Sequence, residues 1–186
     1  MTYGRVTGEW DEVWIVAGGQ SARAFDSLRL RGQNVLAVND AIFLRSIVGA
    51  STVTLFSLDN NWIRRHREFA SFFPGEKYFA LPLETWPDCG GIPGATYLQW
   101  SHDPGLSDDL AFISTGGNSG HGAINLAYHK RAKVIHLVGY DMDLPDEKFA
   151  QWAPRFRNTL PQLRARGACV LNHNMKSAID AYEKVA

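Results

Sequence analysis

Short runs of apolar and β-branched residues alternate along this chain with segments of helical spacing, and most runs stop at glycine, asparagine or aspartate. Val13–Ala17 (VWIVA) stops at Gly18-Gly19, Asn34–Val38 at Asn39-Asp40, and Thr52–Leu58 at Asp59. Lys133–Val138 stops at Gly139-Tyr140-Asp141, and Ala168–Leu171 at Asn172. Runs this short, with little polar alternation, read as strands buried on both faces, the mark of a parallel sheet. The intervening spacing predicts helices over Ser21–Arg31, Ala41–Val48, Trp62–Phe72, Asn118–Arg131, Glu147–Arg166 (broken at Pro154 and Pro161) and Ser177–Val185. The expected fold class is α/β: a three-layer, Rossmann-like single domain over residues 1–186, with a mostly parallel sheet and helices on both faces. The proline- and glycine-rich stretch 74–105 is the exception. Leu81, Leu83, Tyr97 and Leu98 mark one or two short strands there, and the rest is expected to be an irregular loop or lid.

Composition narrows the function classes. With 186 residues, 45% hydrophobic and 20% charged, the chain is an ordinary globular sequence. Lys+Arg and Asp+Glu are both 19, so no global basic field draws in nucleic acid. Cys89 and Cys169 belong to no Cys/His cluster, which argues against structural zinc. Two reduced thiols are expected, a disulfide being the other reading. No apolar run approaches the ~20 residues that span a bilayer, and the N-terminus carries no signal core, so a cytoplasmic protein is expected. Aromatic content of 12%, with six Trp, suits a stacking or sugar-binding surface.

Ligands of open parallel sheets bind at the carboxyl ends of the strands, where the strand order reverses. The first candidate there is Gly18-Gly19-Gln20-Ser21, where a glycine pair admits a ligand to the backbone; a tight turn with Ser21 as helix cap is the alternative. The motif is not GxGxxG, and the second strand ends on Asn39-Asp40 rather than on the acid of that fingerprint, which disfavours NAD. The second candidate is Gly117-Asn118-Ser119-Gly120 within STGGNSGHGA, just ahead of a helix capped by Asn118 or Ser119. Glycine at Gly120 and Gly122 costs about 0.5–1 kcal/mol each in a helix, which implies close approach of a ligand or a neighbouring backbone. His121 there is a candidate acid/base or a plain structural histidine. Asp59 either binds ribose, a metal or an acceptor hydroxyl, or caps the next helix. Asp141 is taken as functional and Asp143 as solvent-facing. Asn172 and His173 end the last strand, His173 being a candidate base or an idle surface residue. No P-loop, GxSxG or HExxH motif is present.

In chain order, VWIVAGGQSAR, LAVNDAIF, FSLDNNW, GGNSGHGAINLAYHKRAKVIHLVGYDM and VLNHNMKSAIDAY resemble a Rossmann-like superfamily. It comprises the bacterial CMP-sialic acid-dependent sialyltransferases, the 6-hydroxymethylpterin diphosphokinase-like proteins, and small phage and prophage proteins, which the chain most resembles. The resemblance covers about Val13 to Tyr182, apart from 74–105. It implies that Gly18, Gly19 and Ser21 lie on the nucleotide and that Asn39 contacts the donor. Ser119 and Gly120 would lie over base and phosphate, and Asp59 and Asp141 would match acidic positions of the superfamily. The sequence departs from it in four places. Asn60 replaces a proline. The His/Trp/Gly/Asp-rich insert that phage relatives often carry after the GYDM turn is absent where the chain runs straight to Leu144-Pro145-Asp146. The tyrosine pair of the sialyltransferases after the same turn is missing, and Asn172–Ser177 lacks the proline of the N-x-T-P-x-S signature.

Three functions follow as expectations. The leading one is a nucleotide-sugar-dependent glycosyltransferase, acting by direct displacement at the anomeric carbon on a hydroxyl acceptor and needing no cofactor. Its nucleotide would be held by Gly18, Gly19, Gln20, Ser21, Asn39, Gly117, Asn118, Ser119, Gly120, Asp141 and Asn172. Asp59, His121 or His173 would serve as base. The second is an ATP-dependent diphosphokinase with Mg²⁺ on Asp59 and Asp141. The third is a non-catalytic nucleotide-binding phage protein. A homo-oligomer is left open.

Overall fold

The computed structural model describes residues 3–143 and 146–186. Nine parallel strands form one sheet in the order β6-β5-β4-β3-β2-β1-β7-β8-β9. They are β1 (Glu12–Val16), β2 (Asn34–Val38), β3 (Thr52–Ser57), β4 (Lys77–Ala80), β5 (Ala95–Ser101), β6 (Phe112–Ser114), β7 (Val134–Val138), β8 (Cys169–Asn172) and β9 (Glu183–Lys184). Among the described residues seven α-helices connect them: α1 (Ser21–Ala24), α2 (Asn60–Arg65), α3 (Arg67–Phe72), α4 (Trp86–Cys89), α5 (Ser119–His129), α6 (Glu147–Trp152) and α7 (Leu160–Ala165). Three-ten turns fill several of the remaining connections.

Strand alternation builds two cores, one on each face. Val13 and Ile15 of β1 pack in one with Leu36, Phe56 and the apolar side of α5. Trp14 and Val16 pack in the other with Val35, Ala37, Leu55, Trp62 and Ile63. From β1 the chain steps outward strand by strand to β6. Then α5 carries it back across the sheet to β7, which pairs with the free side of β1 through Val16↔Val138. The order reverses between β1 and β7, so a crevice opens at their carboxyl ends. The three-layer α/β expectation holds.

Several local expectations do not. Residues 74–105 are not an irregular lid: β4 and β5 lie inside the sheet, paired Tyr78↔Thr96 and Phe79↔Tyr97. The prolines fall in the connectors, and β4 is buried throughout. Leu83 sits in a three-ten turn instead of a strand. Helix α1 stops at Ala24 because the Asp26 carboxylate accepts the Leu28 amide and starts a three-ten turn in place of the continuing helix. No helix forms over Ser177–Val185. The Ala178 amide donates to the Asp141 carbonyl and Lys184 Nζ to the Ser177 carbonyl, and Glu183–Lys184 pair with β8. Long-range bonds there replace the local i→i−4 ladder. Both cysteines are free, Cys89 buried and Cys169 exposed. Among the described residues no helix is long and apolar enough to cross a membrane.

The β1 and β7 turns touch through backbone. A Cβ on Gly19 would collide with the Gly139 carbonyl oxygen, and one on Gly139 with the Ala17 carbonyl oxygen. Gly139 also holds a φ of +77°. Gly18, between these contacts, faces open space. Gly139→Ala is therefore expected to lower unfolding free energy by about 3 kcal/mol in urea denaturation. Gly18→Ala should change it by about 0.5 kcal/mol or less; equal effects would contradict this packing.

Candidate functional site

A cavity of about 600 Å³ occupies the crevice, within the usual range for small-molecule sites. The turn after β1 contributes Gly18, Gly19 and Gln20; the end of β2 contributes Asn39 and Asp40, and the end of β3 contributes Asp59. The approach to α5 contributes Gly117, Asn118, Ser119 and Gly120, and the end of β7 contributes Gly139 through Asp143. Residues far apart in sequence thus meet on one rim. Asn39 Nδ2 donates to Ser119 Oγ at 3.3 Å, tying β2 to the start of α5.

Local conformation explains how each is presented. Gly116 and Gly117 take φ of +52° and +92°, turning the chain into α5. Asn118 Oδ1 then caps the helix on the His121 amide at 2.8 Å. Its Nδ2 is buried with no hydrogen-bond partner, and so is Asn39 Oδ1. Both side chains line the cavity. The glycines inside α5 have packing reasons. A Cβ on Gly120 would stand 2.9 Å from Tyr140, whose hydroxyl donates to the Gly120 carbonyl at 2.9 Å. A Cβ on Gly122 would press on Phe56, Leu58 and Ile113. The neighbours that require glycine are side chains of this protein.

Asp141 is buried and hydrogen-bonded on both oxygens. Its carboxylate accepts the Ser21 amide at 2.9 Å, the Ser21 hydroxyl, and Asn174 Nδ2 at 2.7 Å. Ser21 is thus no helix cap: it ties the β1 turn to β7, and Gln20 precedes α1 without a side-chain cap. Asp59 does cap α2. Its Oδ1 accepts the Asn61 and Trp62 amides at 2.9 and 3.1 Å, which leaves Oδ2 without a bond among the described residues, and the residue lines the cavity. Of the pair expected to hold Mg²⁺ in the diphosphokinase reading, Asp59 and Asp141 both line the cavity, and each Asp141 oxygen already accepts a protein donor. Among the described residues no three His, Cys, Asp or Glu side chains converge to hold a metal.

The two histidines expected as bases lie elsewhere. His121 is fully buried, with Nε2 at 2.8 Å from the Pro104 carbonyl and Nδ1 at 3.3 Å from that of Ser114. It anchors the chain ahead of α5, and burial holds its pKa below the ordinary value. His173 stacks on Trp14 and meets His136 Nδ1 at 2.8 Å, on the face of the second core. His136 Nε2 lies 3.1 Å from Glu12, so it donates there and accepts from His173 through Nδ1. Burial, then Arg29 and His136, push the His173 pKa down to about 4. Asn172 is buried beneath the rim and does not line the cavity; both its side-chain polar atoms lack partners among the described residues.

Sequence reasoning missed an aromatic wall. Phe149 and Trp152, one turn apart on α6, line the cavity with ring centroids 5.9 Å apart. Behind Gly117, Arg155 Nη1 donates to the Gly116 carbonyl at 3.0 Å. The available signal was an apolar i, i+3 pair on a helix with no buried residue, directly after the β7 turn. Asp143, taken as a solvent-facing residue, is exposed at the cavity rim.

Comparison with protein-family models, with curated proteins and with solved structures gives no match.

Burial lowers the pKa of His121, His129, His136 and His173 below the ordinary 6.5. Such groups are neutral in the folded state, so protons bind the unfolded chain more readily. Their stabilising contribution is full above pH 6.5 and is lost as pH falls toward about 4, the His173 value. Urea midpoints are expected to fall steadily from about pH 7 to about pH 5, less steeply in His173→Gln. A midpoint that stays flat or rises would contradict the assignment.

Proposed function

We propose that the chain is a nucleotide-sugar-dependent glycosyltransferase of the sialyltransferase-like kind, with the switch-point cavity as its donor site. The observation that carries this reading is the convergence of the β1 glycine turn, Asn39 and the Gly117–Gly120 approach to α5 on one cavity. Glycine at Gly18 leaves open space where a ligand can lie against backbone. The amino end of α5 presents main-chain donors and a positive dipole end to a leaving phosphate. Phe149 and Trp152 offer flat apolar surface to a base or sugar ring.

In the mechanism this supports, the acceptor hydroxyl is deprotonated by Asp59 Oδ2 as it attacks the anomeric carbon. The α5 amides stabilise the charge developing on the departing nucleotide. Asp59 takes this role because it alone of the three expected bases lines the cavity. The diphosphokinase reading ranks below it, because the Asp141 carboxylate already accepts the Ser21 and Asn174 donors, with which a Mg²⁺ would compete.

The test follows nucleotide release from a CMP-linked sugar in the presence of hydroxyl acceptors. Asp59→Asn keeps the helix cap, since asparagine caps as well as aspartate. It is expected to lower turnover by about 10²-fold or more with donor affinity held within about twofold. Unchanged turnover would overturn the role of Asp59. Donor binding without turnover for any acceptor would favour a non-catalytic binding protein.

A further inference from the structure

The layer that covers the second core is apolar on its outer side as well as its inner one. Three-ten turns at Ser27–Leu30, Asn39–Phe43 and Arg45–Ile47 build it together with α2 and α3. Inward, Leu30, Ile42, Ile47 and Ala70 are buried in that core. Outward, Leu28, Phe43, Val48 and Phe72 stand exposed, Val48 at 72% and Phe72 at 82%. They are four of the five large apolar side chains exposed among the described residues. The turns are joined into one surface. The Gly32 amide donates to the Gly49 carbonyl at 2.9 Å, and the Phe43 ring packs 4.8 Å from that of Phe69, one turn ahead of Phe72 on α3.

Charge on this layer is one-sided. From Arg23 to Arg67 the chain carries seven arginines, no lysine and three aspartates, in a sequence whose net charge is zero. All three aspartates are engaged elsewhere: Asp26 starts a three-ten turn, and Asp40 and Asp59 line the cavity. Glu68 follows on α3 and pairs with none of the seven. Among the described residues no Asp or Glu forms an ion pair with any of these arginines, whereas Arg131, Arg157 and Arg166 each have one. Exposed apolar side chains and uncompensated guanidinium groups therefore share one face.

That combination selects the occupant. A symmetric contact with a second copy would set the arginines against one another. A helical peptide needs a groove, and these apolar side chains protrude from separate turns. Nucleic acid would engage the arginines but leave the apolar side chains in water. A bilayer interface accepts protruding apolar side chains one at a time, and its lipid phosphates match the paired donors of guanidinium. We propose that this face docks the chain on an anionic lipid surface. Phe43, Val48 and Phe72 enter the headgroup region, and Arg31, Arg45 and Arg65 meet the lipid phosphates. The three-ten turn Asn39–Phe43 carries Asp40 to the cavity lining and Phe43 to this face, so a docked chain holds its cavity beside the lipid. The inference stands apart from the chemistry assigned to the cavity.

The experiment is co-sedimentation of the full chain with vesicles of phosphatidylcholine alone or with about 30% phosphatidylglycerol. Binding to the anionic vesicles is expected to be about tenfold or more tighter than to the neutral ones, and to weaken about tenfold at about 0.5 M salt. Arg65→Gln and Phe72→Ser are each expected to weaken it about fivefold. Both side chains are exposed, so the urea midpoint should not move. Arg164→Gln removes the same charge from α7, on the opposite face of the sheet, and should leave binding within about twofold. Equal losses in Arg164→Gln and Arg65→Gln overturn this face as the docking site. Equal binding to both kinds of vesicle overturns the role of charge. Failure to bind anionic vesicles overturns the proposal. Sedimentation velocity and titration with duplex DNA then name the replacement: a dimer lost in Phe72→Ser assigns the face to a second copy. DNA binding lost in Arg65→Gln but kept in Phe72→Ser assigns it to nucleic acid.

Discussion

The buried carboxylate of Asp141 joins three segments that lie far apart in the sequence. It takes the amide and hydroxyl of Ser21 from the β1 turn and the side-chain amide of Asn174 from the turn after β8. A charge removed from water is tolerated only where several donors compensate it. The Gly19–Gly139 contact brings the β1 and β7 turns together, and the Asp141 bonds hold them there. The crevice that parallel topology opens between β1 and β7 becomes a cavity with a fixed rim. Every cavity side chain discussed above is placed relative to that rim.

The rim combines two kinds of chemistry. On the α5 side lie glycines, main-chain amides, Asn118 and Ser119, a surface without net charge but rich in donors. On the β2, β3 and β7 side lie Asp40, Asp59 and Asp143, which accept. Donors suit a phosphoryl group and acceptors suit hydroxyls. A sugar-bearing nucleotide presents both, which is the basis of the proposed ligand. The aromatic wall of α6 adds area without charge.

Much of this was legible in the sequence because strand ends are short-range features. Asn34–Val38 was bounded correctly by its flanking polar residues, and the Asn118 cap followed from its place before an apolar helix. Gly18, Asn39, Ser119 and Asp141 were placed on one rim by topology, since parallel strands share an end. What failed depends on distant partners. His121 sits in the most ligand-like loop of the sequence, yet it is buried against Pro104. The segment Ser177–Val185 has helical spacing, but Asp141 and β8 claim its backbone. Tyr97 and Leu98 did mark β5, but the prolines on either side hid its extent and all of β4. Phe149 and Trp152 fell in a segment read correctly as helical, but an apolar i, i+3 pair there does not by itself tell a ligand wall from a core face.

The central claim is that the carboxyl ends of the strands, and no other surface, receive the ligand. Amide chemical-shift mapping with CMP tests it most directly. The account predicts perturbations concentrated at Gly18, Gly19, Asn39 and Gly117–Gly120. Perturbations gathered instead around Tyr128, Arg131 and Arg166, which line a second concavity, would contradict it.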